Sequence, residues 1–306
     1  MLPFVGVATF LRAPHRSLSE SWQAQVGFLG VPWDVAVGYR PGARFAPQAV
    51  RNASLRYALT PEGYYHPQLG YRLRGLTLVD AGDVDVPTLE TELAFERITE
   101  SARELRRRVA LPLFVGGDHS VSFPLLRAFN DVPDLHVVQL DAHLDFTDTR
   151  NGTRYSNSSP FRRAVETLPN LVHITTIGLR GVRFDPEAIR SAQARGHTLM
   201  FRDDLRQSDT PPLPQGKPLY LSLDVDVIDP ALFPATGSPE PDGLSFHETV
   251  SLLRQAIEHN TLVGVDLVEM APALDPTGTS ALVAVRLLLE VLMAHFAKQA
   301  GEWSLE

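Results

Sequence analysis

Short apolar runs alternate with longer stretches of helical periodicity along most of the chain. Several of the short runs are nearly continuous in apolar side chains, which is typical of parallel strands covered on both faces. We predict strands at 25–31, 76–82, 111–117, 135–141, 171–179, 218–226 and 261–269, with a further short strand after His197. We predict helices around 47–58, 90–109, 120–129, 185–195, 245–258 and 279–298.

This alternation predicts an α/β fold in which helices cover both faces of a doubly wound parallel sheet. No internal repeat, low-complexity tract or flexible linker interrupts it, so we expect residues 1–306 to form a single domain. In open parallel sheets the ligand site lies beyond the carboxyl ends of the strands. Polar residues that directly follow predicted strands are therefore the candidates for chemistry.

Composition narrows the class of function. A net charge of −8 argues against a nucleic-acid partner and suits a small cationic molecule. The chain has no cysteine, so any metal must be held by His, Asp or Glu. The apolar segment 281–296 contains Arg286 and Glu290, which predicts a core helix and no membrane span. The stretch 4–11 lacks the features of a signal peptide, so we expect a packed segment and a cytoplasmic protein.

The stretch HVVQLDAHLD runs from a predicted strand into Asp141, His143 and Asp145. Alternate side chains of an extended segment point the same way, so these three can converge on one point. Two carboxylates brought close together repel each other, and a divalent cation removes that cost. For this stretch taken alone, the alternative is a solvated turn whose acidic side chains face water.

Three further polar clusters also follow predicted strands. VGGDHS places His119 at the end of one strand, and YLSLDVDVIDP places Asp224 and Asp226 two residues apart at the end of another. LVGVDLVEMAP contains Glu269, a carboxylate well placed to receive a cationic substrate. Taken singly, the first two clusters also fit a structural histidine and capping aspartates. Together with the DAHLD stretch they provide six oxygen and nitrogen ligands, which suit a pair of divalent ions such as Mn²⁺.

The motifs GGDHS, DAHLD, SLDVDVIDP and VEMAP, in this order, resemble those of the ureohydrolase superfamily, which includes arginase and agmatinase. The resemblance implies a three-layer αβα arginase-like fold with a central, mostly parallel eight-stranded sheet. It also implies two Mn²⁺ ions per subunit, bridged by Asp141 and Asp224. One ion would be held by His119, Asp141, Asp145 and Asp224, and the other by Asp141, His143, Asp224 and Asp226.

The reaction that the resemblance implies is hydrolysis of a guanidinium to urea and an amine. A hydroxide that bridges the two ions would attack the guanidino carbon, because metal coordination lowers the pKa of water to about 7. Asp145 would also carry the proton of the hydroxide to the leaving amine. Glu269 would pair with the guanidinium and align it for attack. The family further implies a homo-oligomer, either a trimer or a hexamer.

Three features resemble the agmatinase branch of this family, which releases urea and putrescine from agmatine. ATFLRAP and SPEPDGLS are agmatinase-like, and Gly181 stands where arginases usually place an aspartate that holds the amino-acid head of arginine. Glu240 or Asp242 is then a candidate contact for the tail amine of agmatine. One departure is Asn157, which replaces a histidine that many agmatinases carry and that is thought to shuttle protons. We nevertheless expect an active enzyme, with Asn157 near the substrate.

Three alternatives to an agmatinase remain. A different guanidino-hydrolase, such as a guanidinobutyrase, would bind a substrate carboxylate, for which Ser156, Ser158 and Ser159 are candidate contacts. A non-catalytic member of the family would bind the substrate without releasing urea. A zinc deacetylase-like hydrolase would need a catalytic pair of adjacent histidines, and the sequence contains none.

Overall fold

The computed structural model describes residues 2, 5–67, 70–207 and 211–297. Its centre is an eight-stranded sheet, beside which a hairpin pairs β2 (Tyr64–His66) with β3 (Gly70–Arg72). The strands of the main sheet are β1 (Ala24–Gly30), β4 (Leu78–Asp83), β5 (Val109–Val115), β6 (Leu135–Leu140), β7 (Leu171–Leu179), β8 (Thr198–Phe201), β9 (Pro218–Asp224) and β10 (Thr261–Val268).

The strand order across the main sheet is β4-β1-β5-β10-β9-β6-β7-β8, and every pairing is parallel. The predicted strands are present, and β8 is the short strand expected after His197. We expected a mostly parallel sheet, and the observed sheet is parallel throughout. Its four central strands, β5, β10, β9 and β6, are drawn from distant parts of the chain, which creates a reversal of strand order of the kind where α/β sheets bind ligands.

Helices cover both faces of the sheet and complete the three layers. One face packs against α1 (Ala46–Ser54), α7 (Phe246–Glu258) and α8 (Thr279–Ala297). The other packs against α2 (Thr91–Arg106), α3 (Ser122–Arg127), α4 (Pro160–Thr167) and α5 (Pro186–Ala194). In β9, Leu219 and Leu221 join the first core and Tyr220 joins the second, which is the period of two of a strand buried on both faces.

Of the two segments that raised the question of a membrane, the C-terminal one packs against this core, and the N-terminal one packs against it only at its end. Phe10 and Leu11 are fully buried, and Phe10 stacks on Phe28 with ring centroids 4.6 Å apart. Val7 is exposed, and Phe4 lies outside the described residues. Within the described residues, α8 alone is long and apolar enough to pass as a membrane span, and it packs against α1 and α7. Its expected end at 298 also lies outside the described residues.

Helices α4 and α6 (Arg202–Gln207) and the hairpin were not predicted. Helix α6 and the hairpin show no strong apolar period, because α6 has no buried residue and the hairpin none that is fully buried. Helix α4 does bury an apolar face, with Phe161 and Ala164 in the core, and the sequence analysis missed it. The predicted helix at 120–129 is shorter than expected. A 3-10 turn (His119–Val121) precedes α3, because the chain must first leave β5 through a tight turn.

Candidate metal centre and active site

The four central strands bring the six candidate metal ligands and Glu269 to one edge of the sheet. Parallel neighbours end at the same edge, so residues from distant parts of the chain become neighbours there. A tight turn after β5 is possible because Gly117 has no side chain, since a Cβ there would lie 1.5 Å from the carbonyl oxygen of Trp33. Strand β5 leads to His119, β6 to Asp141, His143 and Asp145, β9 to Asp224 and Asp226, and β10 to Glu269.

Three carboxylates surround the ring of His119. Its Nδ1 lies 3.1 Å from Asp141 Oδ2, 3.0 Å from Asp145 Oδ2 and 3.1 Å from Asp224 Oδ2. This nitrogen is buried and makes no hydrogen bond, although three oxygens lie this close. One ligand atom from each of the four residues lies within 4.8 Å of the others, a spacing that could hold a metal ion.

A second group of ligands adjoins the first. His143 Nδ1 lies 2.8 Å from Asp226 Oδ2 and 3.7 Å from Asp141 Oδ1, and these three residues also have the spacing of a metal site. Asp141 is therefore shared, as expected of a bridging carboxylate. Asp224 falls in the first group alone; its Oδ1 accepts a hydrogen bond from the backbone N–H of Asp226, and its Oδ2 faces the ring of His119.

Asp141 is held in place by donors on both of its oxygens. The backbone N–H of His143 donates to Oδ1 at 2.6 Å, and Nε2 of Gln139 donates to Oδ2 at 2.6 Å. Gln139 is itself fixed by the hydroxyl of Thr176, which donates to its Oε1 at 2.8 Å. Sequence analysis missed Gln139, although an amide inside the apolar run of β6 was a signal that a buried polar partner lay nearby.

The charges of this cluster suit a bound cation. Burial, and then the charges of Asp226 and Asp145, raise the pKa of Asp141 to about 7. Burial and the neighbouring carboxylates also raise the pKa of Asp224 well above its usual range. Burial would lower the pKa of His119, but the carboxylates around Nδ1 outweigh it and raise the pKa well above 6.5. Buried carboxylates around an imidazole nitrogen thus fit a divalent ion. Such an ion supplies positive charge and is coordinated by carboxylate oxygens and imidazole nitrogens.

Asp145 and Glu269 share an uncommon backbone conformation. Both lie in the left-handed region, with φ of 49° and 66° respectively. For residues other than glycine this conformation costs on the order of 1–3 kcal/mol and is concentrated at functional sites. Backbone hydrogen bonds hold both segments, since the N–H of Glu269 donates to the carbonyl of Gly117 and the N–H of Phe161 donates to the carbonyl of Asp145.

Glu269 is a buried carboxylate that contacts the first ligand group through His119. Its Oε1 accepts hydrogen bonds from the backbone N–H of His119 at 2.9 Å and from Nδ2 of Asn157 at 3.2 Å. Burial, and then the negative charge of Asp118, raise the pKa of Glu269 to about 8. A cation bound next to Glu269 would stabilise its charged form, so the position suits a guanidinium.

A cavity of about 270 Å³ opens above the ligands. Its lining includes Asn157, Arg150, Arg183 and Glu269, together with His143, Asp145, Asp224 and Asp226 of the two ligand groups. The two arginines were not named by sequence analysis, because a single arginine in a polar loop carries no signal of its own.

Glu240 lies on the other side of His143. Its Oε1 is 3.8 Å from His143 Nε2, and it lines a small cavity that adjoins the one above the ligands. A Cβ on Gly181 would lie 2.8 Å from the carboxyl group of Glu240, so this carboxylate occupies the space beside the glycine. Asp242, the other candidate in this loop, instead pairs with Arg206 of α6.

Of the three serines near Asn157, only Ser158 lines the cavity. Ser156 and Ser159 are buried, and their hydroxyl oxygens lie 3.0 Å apart in a hydrogen bond to each other. The hydroxyl cluster considered for a substrate carboxylate is thus reduced to Ser158, which accepts a hydrogen bond from Arg150 at 3.1 Å.

A larger cavity, of about 620 Å³, lies between the hairpin and helices α7 and α8. Its lining includes Glu290, which pairs with Arg254 at 2.7 Å and with Arg286 at 2.8 Å. None of the candidate ligands lines it, so the size of a cavity does not identify the reactive site in this protein.

Comparison with known proteins agrees with the geometry of this centre. The arginase family matches residues 24–294, which is most of the chain. The chain belongs to the arginase family. As a member of this family it is a hydrolase that acts on guanidino C–N bonds. The expected three-layer fold is confirmed by the sheet described above and by its match to arginase-like structures.

Several relatives of this arginase-family protein are similar over nearly its whole length. It is 34% identical to the guanidino acid hydrolase, mitochondrial, of Homo sapiens, over 95% of the chain and 83% of the relative. It is 34% identical to the agmatinase, mitochondrial, of Gallus gallus, over 94% of the chain and 85% of the relative. Among solved structures, the proclavaminate amidino hydrolase of Streptomyces clavuligerus matches with a TM-score of 0.84 and 30% identity, over 96% of this chain and 98% of that one.

Proposed function

We propose that the protein is a binuclear manganese enzyme that hydrolyses agmatine to urea and putrescine. The observation that carries this proposal is that two ligand groups share Asp141 and that members of both groups line one cavity with Glu269. A paired cation site beside a buried carboxylate suits an enzyme that must hold a guanidinium next to an activated water.

The donors of the two groups suit Mn²⁺ because they are carboxylate oxygens and imidazole nitrogens, with no thiolate. Two bound ions would supply a hydroxide near neutral pH by lowering the pKa of a coordinated water. His119, Asp141, Asp145 and Asp224 would hold one ion, and Asp141, His143 and Asp226 the other.

Glu269 would bind the guanidinium of the substrate, and Asp145 would transfer the proton. Both hydrogen bonds to Glu269 use Oε1, which leaves Oε2 to accept a charge-assisted hydrogen bond from the substrate guanidinium. Asp145 directs Oδ2 towards His119, which leaves Oδ1 to take a proton from the attacking water and return it to the leaving amine nitrogen. In each carboxylate, one oxygen thus contacts the protein and the other is left for the substrate or the proton.

Glu240 supports agmatine as the substrate. Agmatine carries a second positive charge on its tail amine, and Glu240 is a carboxylate beside His143 at the side of the cavity. In arginases an aspartate usually follows the position of Arg180, whereas here Gly181 leaves room for the carboxylate of Glu240. A tail ammonium would therefore meet a negative charge in that space.

Arg150 and Arg183 favour a second candidate, a guanidino acid such as 4-guanidinobutyrate. Both line the cavity above the ligands, and both are exposed there. Two guanidinium groups attract a substrate carboxylate and repel a tail ammonium. Relatives named guanidino acid hydrolase and guanidinobutyrase, at 34% and 33% identity, point the same way.

The test is urea release by Mn²⁺-loaded protein with agmatine, 4-guanidinobutyrate and arginine side by side. We expect release from agmatine, and we expect Glu240→Gln to raise KM for agmatine more than Arg183→Gln does. Release from 4-guanidinobutyrate alone, with the larger loss in Arg183→Gln, would replace the first candidate by the second. Glu269→Gln serves as the control, because it should lose urea release while it retains its bound metal.

The proposal includes a cytoplasmic homo-oligomer, a trimer or a hexamer, built from chains that each form one domain. Light scattering of the purified protein measures its mass in solution, and cell fractionation measures its location. A monomer that releases urea at the same rate at all concentrations would contradict the oligomer and leave the proposed reaction intact.

A further inference from the structure

A fully buried carboxylate lies beneath the first ligand group. Asp266 of β10 is 0% exposed and accepts hydrogen bonds from three hydroxyl groups. The Oγ of Ser122 and the phenol of Tyr220 donate to Oδ2 at 2.7 and 2.8 Å, and the Oγ of Ser222 donates to Oδ1 at 2.7 Å. Only one of these donors, Ser222, also contacts a metal-ligand candidate.

Ser222 joins Asp266 to His119. The Oγ of Ser222 lies 3.0 Å from Nε2 of His119, and all three side chains are fully buried. A carboxylate can only accept hydrogen bonds, so the single hydroxyl proton of Ser222 is committed to Asp266. The hydroxyl oxygen can then only accept, which requires that Nε2 of His119 carry its proton. The charge of Asp266 therefore determines the direction of both hydrogen bonds.

The proton on Nε2 determines the state of the opposite ring nitrogen, Nδ1 of His119. A metal binds the neutral imidazole, and in that form a proton held at Nε2 leaves Nδ1 with a lone pair that faces the space between Asp141, Asp145 and Asp224. Partners on the far nitrogen of a metal-binding histidine fix its tautomer and ring orientation in this way. We propose that Asp266, acting through Ser222, is a positioning residue that keeps Nδ1 of His119 available to the metal. This inference rests on the proposed metal dependence.

Among the described residues, the second ligand group has no equivalent arrangement. Nδ1 of His143 faces Asp226, and its Nε2 lies 3.8 Å from Glu240 at the edge of the cavity, beyond hydrogen-bonding distance. His143 is also partly exposed, whereas His119 is completely buried. Loss of the Ser222 hydroxyl should therefore weaken the binding of the ion at His119 and leave the binding of the other ion unchanged. A general loss of stability would weaken the binding of both ions.

The experiment compares Ser222→Ala with Ser122→Ala. Both remove one buried hydroxyl donor from the same carboxylate, but of the two hydroxyl groups only that of Ser222 contacts the ring of His119. We would titrate metal-free protein with Mn²⁺ and follow free Mn²⁺ by electron paramagnetic resonance, then record the visible spectrum after loading with Co²⁺. We expect Ser222→Ala to weaken one of two sites by about 10–100-fold, as loss of such a partner typically does. We expect Ser122→Ala to bind both ions like the wild type.

The Co²⁺ spectrum separates positioning from stability, because it reports the ligand field at the metal. We expect Ser222→Ala alone to change the band of the weakened site, with circular dichroism unchanged in both variants. Equal Mn²⁺ affinities in the wild type and in Ser222→Ala would overturn the inference, and so would equal losses in both serine variants. A wild-type protein that binds no Mn²⁺ would instead contradict the proposed function, and with it this role. Asp266→Asn, a second variant, should weaken the same site as Ser222→Ala.

Discussion

The side-chain amide of Asn157 donates a hydrogen bond to Oε1 of Glu269 at 3.2 Å. The same oxygen accepts the backbone N–H of His119 at 2.9 Å, so two donors fix the carboxylate that is proposed to receive the guanidinium. Asn157 stands where many agmatinases carry a histidine, and an amide neither takes nor gives a proton near neutral pH. The geometry gives Asn157 a different task, which is to hold Glu269 in position.

Substitution of Asn157 tests this role. Asn157→Ala removes a hydrogen bond to a charged group, which is worth about 1.5–3 kcal/mol. We therefore expect kcat/KM for urea release to fall by about 10–100-fold. Asn157→His should restore part of the activity and add a pH-dependent step near about pH 6.5, where a histidine titrates. Steady-state kinetics across the pH range measures both effects.

Ser158→Ala is the matched control for Asn157. Ser158 is the next residue and lines the same cavity, but its hydroxyl contacts Arg150 and not Glu269. Its loss should leave kcat/KM for agmatine within about threefold, since a partly exposed neutral hydrogen bond contributes little. Equal kinetics for Asn157→Ala and the wild type would show that the contact with Glu269 has no role in turnover.

Sequence reasoning located the candidate ligands because each one follows an apolar run. Asp141 directly follows β6, Asp224 is the last residue of β9, and His119 lies in the turn after β5, and parallel strands end at a common edge. The order of the strands was not predictable in the same way, because pairing between distant segments leaves no local pattern. The sequence therefore indicated which residues meet, while the reason that they meet, the adjacency of β5, β10, β9 and β6, came from the structure.

Contacts between loops were beyond prediction for the same reason. Asn157 and Glu269 are far apart along the chain, and no periodicity connects them. Ser222 and Asp266 were read as parts of strands, and their polar character became meaningful only when β9 and β10 were found side by side. Helix α6 escaped detection because it buries no side chain of its own. Local patterns therefore identify strands and candidate ligands well, and they identify supporting hydrogen bonds poorly.

Metal binding should stabilise the folded protein. Binding to the folded state alone adds about 2.7 kcal/mol when free Mn²⁺ is 100 times its Kd. We expect Tm to rise by several degrees with Mn²⁺ and to fall back when a chelator removes it. Asp224→Asn should melt above the wild type in metal-free buffer, because burial and its neighbours make the charged form of Asp224 costly. Addition of Mn²⁺ should raise the Tm of this variant by less than it raises the Tm of the wild type. Differential scanning calorimetry measures all four conditions.

A surface aspartate controls for the effect of charge alone. Asp203, exposed and paired with Arg206, is well suited. Asp203→Asn should change Tm little in metal-free buffer and should retain the full gain from Mn²⁺. If metal-free Asp224→Asn melted below the wild type, repulsion among the buried carboxylates would not destabilise the metal-free protein.

A buried ion pair ties α1 to β4. Arg51 Nε lies 2.8 Å from Asp80 Oδ2, and Nη2 lies 3.0 Å from Asp80 Oδ1, so the contact is bidentate. Asp80 Oδ2 also accepts the backbone N–H of Phe10 at 2.8 Å, which anchors the N-terminal segment. Removing one partner of a buried pair costs about 3–5 kcal/mol, so we expect Arg51→Met to lower the free energy of unfolding by this amount. Urea denaturation at constant Mn²⁺ measures the change.

The exposed pair of Arg97 with Asp85 provides the comparison. The nitrogen and oxygen lie 3.0 Å apart, but the side chains are 42% and 97% exposed. Arg97→Met should cost less than about 1 kcal/mol, because water screens an exposed pair. Similar losses in Arg51→Met and Arg97→Met would mean that the burial of Arg51 does not set the strength of its contact.

The carboxylate of Asp275 should make stability depend on pH below about pH 4. Burial opposes its charge, but hydrogen bonds from Thr277 and Ser280 outweigh burial and lower its pKa to about 2. A pKa that is lower in the folded than in the unfolded protein adds stability above the unfolded value of about 4, and this contribution is lost as the pH falls towards 2. We therefore expect Asp275→Asn to be less stable than the wild type near neutral pH, with the gap closing from about pH 4 downward. Urea denaturation of both proteins at several pH values measures the gap. A gap that stayed constant down to about pH 3 would show that the hydrogen bonds at the start of α8 do not depend on the charge of Asp275.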